Sequence, residues 1–158
     1  MKVKSVLCAF LPLYGAGVRF RMCLRLRELF RKKKWQYLAM CCKNYLQRHY
    51  GCELSVNAAI STKTLFMHCV GVVIGDGCIV EDGVVIYSGV CLGRKDINNE
   101  DDYPIIRRNS VLGTGSKILG KIVVEENTII GANAVVLSSC TPGGGTYVGS
   151  PAHRVGNR

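Results

Sequence analysis

The sequence predicts a mainly β chain, a parallel β-helix of hexapeptide repeats preceded by a short α-helical segment. Three observations predict it. Aliphatic side chains return every six residues at Ile74, Val80, Ile86 and Leu92, then at Ile106, Leu112, Ile118, Val124, Ile130 and Val136. Four residues after these positions the side chain is usually small or β-branched, as at Cys78, Val84, Val90, Ser110, Ser116, Ile122, Thr128, Ala134 and Cys140. Between them lie Gly75-Asp76-Gly77, Glu81-Asp82-Gly83 and Glu125-Glu126-Asn127, which is the chemistry of tight turns with φ > 0. Neither a 3.6-residue nor a 2-residue period keeps such a repeat on one buried face unless the chain coils. Three hexapeptides per coil give a triangular prism of about four to five coils. Ile60 and Phe66 keep the same step but sit two residues out of phase with Ile74, the mark of a small insertion. A sandwich with Gly-rich turns would space its strands irregularly and does not fit.

The elements follow in chain order. Residues 1–50 form a basic segment with twelve Lys/Arg against the single acid Glu28, whereas 51–158 hold nine against ten acids, so the net charge of +10 arises in the first third. Apolar and cationic stripes predict helices over 18–33 and 35–49, joined at Lys32-Lys33-Lys34. Such helices cap the open end of a solenoid, lie on an anionic membrane surface, or do both. They match no nucleic-acid-binding motif, and no nucleic acid is expected as partner. The apolar stretch Val6–Val18 is interrupted by Pro12, Gly15 and Gly17 and cannot span a bilayer as a regular helix; with Lys2 and Lys4 before it, a signal peptide is the alternative. Nine cysteines, with no C-x-x-C pair, point to a reducing cytoplasmic location, peripheral to the inner face of the membrane if the basic helices bind there.

Residues 51–158 are the β-helix. A polar excursion at 93–104 must leave the prism as a loop, and loops on rigid scaffolds are where substrate contacts concentrate. Pro142-Gly143-Gly144-Gly145 ends the repeat, leaving 141–158 as a C-terminal tail.

Of three histidines, His68 alone lies in the repeat region, at the two-residue slip. Around it, Tyr50-Gly51-Cys52-Glu53, Met67-His68-Cys69-Val70-Gly71-Val72-Val73-Ile74-Gly75, Pro104-Ile105, Gly113-Thr114-Gly115-Ser116-Lys117-Ile118-Leu119-Gly120 and Gly149-Ser150-Pro151-Ala152 resemble the hexapeptide-repeat acyltransferases of the serine acetyltransferase type, over about Tyr50 to Val155. The resemblance implies a left-handed β-helix, a homotrimer, and acetyl-CoA as co-substrate in the groove between subunits, with no metal. It implies His68 as the base that activates the acceptor hydroxyl and Glu53 as the carboxylate that fixes its tautomer. It also implies that Gly93, Thr114, Gly115 and Ala132 line the pantetheine arm and that Arg154 meets phosphate; solenoid turn geometry is the other reading of these five. A mechanism through acetylated Cys69 is disfavoured, because neighbouring residues of an extended strand face opposite ways. His49, His68 and His153 are too scattered for the three-His zinc site of carbonic anhydrases built on the same prism.

The family pattern has an Asp before the catalytic His and an Arg-His pair before the loop Pro. Here Met67 and Asp102-Tyr103 stand in those places. Read as acceptor contacts, Met67, Asp102 and Tyr103 have lost the clamp for an amino acid. They lead to the expectation of a sugar acceptor in a surface or capsular polysaccharide or its precursor, as in the short polysaccharide O-acetyltransferases. Serine O-acetylation and a non-catalytic binding solenoid are the alternatives.

Overall fold

The structure, a computed structural model, describes residues 15–157. Most of the Val6–Val18 stretch, including Cys8, therefore lies outside the described residues.

Helix α1 spans Ala16–Lys32 and helix α2 spans Gln36–Tyr50, each within two residues of its predicted bounds. Arg31 and Lys32 sit in the last turn of α1, where the carbonyl end of the helix dipole favours cations. Gly51 ends α2 in the left-handed conformation (φ 62°), returning its amide to the carbonyl of Gln47. The buried face of α1 carries Phe20, Cys23, Leu24, Arg27 and Glu28, and that of α2 Ala39, Cys42 and Leu46. The hairpin is fastened to the prism by charge. The fully buried Arg27 guanidinium binds the Glu28 carboxylate and donates to the carbonyls of Ser55 and Ala58, the latter at 3.0 Å. Glu28 in turn accepts from Arg31 Nε at 3.0 Å and from the Ile60 amide at 3.4 Å.

Thirteen short strands then wind the β-helix. The first face stacks β1 (Glu53–Leu54), β4 (Val73–Ile74), β7 (Cys91–Gly93), β10 (Lys117–Leu119) and β13 (Val135–Val136). The second stacks β2 (Ala59–Ile60), β5 (Ile79–Val80), β8 (Ile105–Ile106) and β11 (Val123–Val124); the third stacks β3 (Leu65–Phe66), β6 (Val85–Ile86), β9 (Val111–Leu112) and β12 (Ile129–Ile130). Every pair among them is parallel and joins strands three apart in sequence order, the signature of the left-handed parallel β-helix class. Inward residues pair with inward residues: Leu54, Ile74, Leu92, Ile118 and Val136 form one column, each no more than 1% exposed. Leu54 thus extends the six-residue series one step before Ile60.

The positions four after each inward residue are the corners of the prism, and Cys78, Val84, Val90, Ser110, Ser116, Thr128 and Ala134 are fully buried there. Just before them, position three takes φ between 56° and 73° at Gly83, Gly89, Asn109, Gly115, Asn127 and Asn133. A Cβ on Gly115 would strike the Asn133 side chain of the next coil, so the turn dipeptides are selected by the coil above as well as by φ.

Beyond β13 the chain does not become an irregular tail. Strand β14 (Gly145–Val148) continues the third face, with Tyr147 placed over Ile130, and β15 (His153–Asn157) pairs with it antiparallel. From Ile130 to Tyr147 the coil takes 17 positions, one fewer than the regular 18, so Tyr147 falls out of the six-residue count.

Truncating one column residue leaves a void that two stacked coils cannot close. Leu112→Ala, at a fully buried position, is expected to lower unfolding free energy by about 2–5 kcal/mol in urea denaturation; a loss below about 1 kcal/mol would show that the column is not close-packed.

Candidate active site at a coil edge

The prism has two irregular corners. From Leu54 to Ile74 the coil takes 20 positions, from Ile74 to Leu92 it takes 18, and from Leu92 to Ile118 it takes 26. The first excess falls between β3 and β4, at the edge where the third face meets the first. The second falls between β7 and β8, where the first face meets the second.

The first excess is the turn that carries His68, whose side chain is exposed. Met67 beside it is 53% exposed. Together with Phe20 and Leu24 of α1, and with Thr64 and Phe66 of the same coil, these two residues line a mainly apolar cavity of about 310 Å³. The Thr64 hydroxyl is buried without a hydrogen-bond partner. Cys69 turns inward, with Sγ 3.8 Å from the Tyr50 carbonyl, and burial pushes its thiol pKa up. Both effects keep it protonated near neutrality and disfavour it as a nucleophile.

Glu53 lies on β1, level with Val73, and its carboxylate pairs with Lys43 Nζ of α2 at 3.1 Å. It makes no hydrogen bond to His68 here.

The His68 turn heads a file of turns along one edge. The Gly89 amide donates to the Val70 carbonyl at 3.0 Å, Gly115 to Ser88 at 2.8 Å, and Asn133 to Thr114 at 2.8 Å. Thr114, Gly115 and Ala132 therefore share the edge of His68, in successive coils. Gly93 and Arg154 do not. Gly93 ends β7 at the base of the 93–104 loop, with only ordinary contact awaiting a Cβ (Leu119 Cδ2 at 3.8 Å), and Arg154 lies on β15 beside Tyr147.

The loop is folded down upon itself. Asp102, 8% exposed, accepts hydrogen bonds from the amides of Lys95 (2.8 Å), Asp96 (2.7 Å) and Lys121 (2.6 Å). The Asp96 amide foremost, with those of Lys95 and Lys121, holds its carboxyl below the usual carboxylate range against the opposing effect of burial. Tyr103 lays its ring over Gly75 and Gly77, where a Cβ would collide with it, and the Arg94 guanidinium stands 5.5 Å from the ring centre.

The sequence left the α1 wall of the cavity unrecognised, although Phe20 and Leu24 stand at i and i+4 and signal a helix face turned inward. It also gave no sign that Lys43 would claim Glu53, since that pairing depends on how the hairpin docks.

A coiled stack of hexapeptides with a histidine at a widened corner defines the class of hexapeptide-repeat transferases. Comparison with known proteins agrees: the family described as bacterial transferase hexapeptide (six repeats) matches residues 103–138, and the hexapeptide repeat of succinyl-transferase matches residues 68–88. The serine acetyltransferase of Helicobacter pylori is 35% identical over 139 residues, which are 88% of this chain and 81% of that protein. That of Staphylococcus xylosus is 39% identical over 128 residues, 81% of this chain, and the chain spans only 58% of its length. The crystal structure of the Brucella abortus serine acetyltransferase in complex with coenzyme A superposes with a TM-score of 0.83 at 31% identity, over 92% of this chain and 58% of that one. The chain belongs to the serine acetyltransferase family.

These relatives overturn the polysaccharide acceptor expected from the sequence, because they are named for serine. The physical reason lies in the loop. Asp102 is expected from the sequence as an acceptor contact, yet its carboxylate accepts from two amides of the loop and from the Lys121 amide of the next coil, while the half-buried Tyr103 covers two glycines. Their identities report how the loop is fastened and carry no information against serine.

Asp102→Asn removes the charge that gathers the three amides. It is expected to speed hydrogen exchange at Lys95, Asp96 and Lys121 without changing the far-ultraviolet spectrum. In the unsubstituted protein the same protection, complete at neutral pH, is expected to be lost as pH falls through the depressed Asp102 pKa. Equal exchange in both proteins would refute the clamp.

Proposed function

We propose that the chain transfers the acetyl group of acetyl-CoA to the hydroxyl of L-serine, with His68 as general base. The observation that carries this reading is the placement of His68, exposed at the widened corner that heads the file of turns containing Thr114, Gly115 and Ala132. An extended pantetheine arm can run along that file, with its thioester end directed to the imidazole. Membership of the serine acetyltransferase family favours serine as the acceptor.

The chemistry needs a base. A serine hydroxyl has a pKa far above 7 and attacks a thioester poorly, whereas neutral imidazole within hydrogen-bond reach takes its proton as the C–O bond forms. Collapse of the tetrahedral intermediate breaks the C–S bond, and the CoA thiolate recovers the proton from the imidazolium. Glu53 is assigned the positioning of His68, for which it must leave Lys43.

The site is assigned to a homotrimer. His68 and the 93–104 loop occupy different edges of one prism, so a second copy is needed to bring a loop to the His68 turn. Leu65, Met67, Val70 and Val73 are between 38% and 67% exposed around that turn, as an unpaired contact surface would be. A reducing cytoplasmic location is consistent with the eight described cysteines, all of them free.

The test is CoA release from acetyl-CoA with and without L-serine. The unsubstituted protein is expected to release thiol only when serine is present, and His68→Ala to lower kcat by about a hundredfold or more at unchanged trimer mass. Absence of serine-dependent release would overturn the proposal.

A further inference from the structure

We propose that the tip of the α1–α2 hairpin is a docking surface for an anionic lipid bilayer. The tip runs from Lys32 to Cys41. Trp35 is 50% exposed, Tyr37 81%, Leu38 40% and Met40 45%, four large apolar side chains in six residues. Lys32, Lys33 and Lys34 precede them and are exposed, and Lys34 takes a left-handed turn (φ 58°) that brings α2 back toward the prism. Trp35 stacks on Phe30 at 5.9 Å with the Lys33 ammonium 4.8 Å from its ring, so the indole is presented as a fixed platform.

Charge selects the partner. Arg25 and Lys32 lie on one exposed stripe of α1, continued by Arg21 at the wall of the His68 cavity, and Arg48 is exposed near the end of α2. The sole acid of the two helices, Glu28, is buried and taken by Arg27 and Arg31. The exposed face of α1 thus carries cations and no acid, and it leads into an aromatic and aliphatic tip. Cations that reach lipid phosphates around rings that settle at the headgroup level are the composition of an interfacial element. Neither described helix is long and apolar enough to cross a membrane. The three consecutive exposed lysines beside exposed aromatic and aliphatic side chains match an anionic interface, and a nucleic acid would leave the aliphatic side chains Leu38 and Met40 without a role.

The hairpin covers the first-coil end of the prism. If the chain is the trimer proposed above, three-fold symmetry sets three tips at one height, so that one plane engages all of them; the surface itself does not depend on that assembly.

Trp35 is the single tryptophan of the chain and reports directly on the tip. The full chain is mixed with vesicles of phosphatidylcholine alone or of phosphatidylcholine with phosphatidylglycerol. Anionic vesicles are expected to shift Trp35 emission to the blue, brominated acyl chains to quench it, and added salt to reverse both. Replacing Lys32, Lys33 and Lys34 together with Gln is expected to lower partition into the anionic vesicles by roughly a hundredfold. In the same sedimentation assay, replacing Tyr37, Leu38 and Met40 with Ser is expected to lower it as well. Both variants change exposed residues only and should keep the helical spectrum and the serine-dependent thiol release of the unsubstituted protein. The proposal fails if binding is equal on neutral vesicles, if the vesicles bind both variants unchanged, or if a blue shift arises from self-association without lipid. Saturable binding of RNA in preference to vesicles would also overturn it.

Discussion

One constraint governs this molecule: each coil must hand its backbone hydrogen bonds to the coil above while placing one aliphatic side chain inward per face. Leu54 over Ile74 over Leu92 and Phe66 over Ile86 over Leu112 meet both demands at once. A strand cannot be lengthened by a residue without breaking the pairing on both sides and turning an aliphatic side chain out of the column. Extra residues are therefore tolerated only at corners. Both lengthened coils carry their excess there, at the His68 turn and the 93–104 loop, and the candidate chemistry sits where the scaffold can accept irregularity.

The same constraint decides what could be read in the sequence. A repeat enforced on every coil is visible as a period, and so the columns and the small corner residues were legible; of the turns read as left-handed, Gly83 and Asn127 take positive φ whereas Gly75 and Gly77 do not. Leu54 and Tyr147 were not, since each lies at the end of the series, where too few neighbours define the phase. The irregular corner that carries His68 was legible because it is a slip in an otherwise regular pattern. Asp102 and Tyr103 misled for a different reason. Their departure from the family pattern was visible, but the direction of their side chains was not, and a carboxylate that ties two loop amides to the Lys121 amide of the next coil differs in meaning from one aimed at an acceptor.

The hairpin solves two problems with opposite faces. The open end of a solenoid has no further coil to pair its carbonyls, and Arg27 meets that of Ala58 from a fully buried position and joins the Ala58 amide on that of Ser55. Burying a guanidinium is costly unless its charge is matched and its donors are used, and Glu28 supplies the match while also accepting from Arg31 and from the Ile60 amide. Since the only acid of the helices is spent inside, nothing neutralises the outer face. The cationic exterior is thus a consequence of how the interior is fastened.

Lys43 links the hairpin to the candidate site. It stands on α2 and holds Glu53, the carboxylate assigned to His68, at 3.1 Å. With the Lys43 side chain one-fifth exposed and that of Glu53 about two-fifths exposed, the pair is partly screened, and pairs of this kind contribute about 1 kcal/mol or less. A hydrogen bond from an imidazole N–H that gains positive charge during proton transfer is stronger than one between neutral groups. In the proposed mechanism that difference is what would draw Glu53 from Lys43 to His68. Under the proposed function the helical cap would then do more than close the prism, since α2 holds through Lys43 the carboxylate assigned to His68.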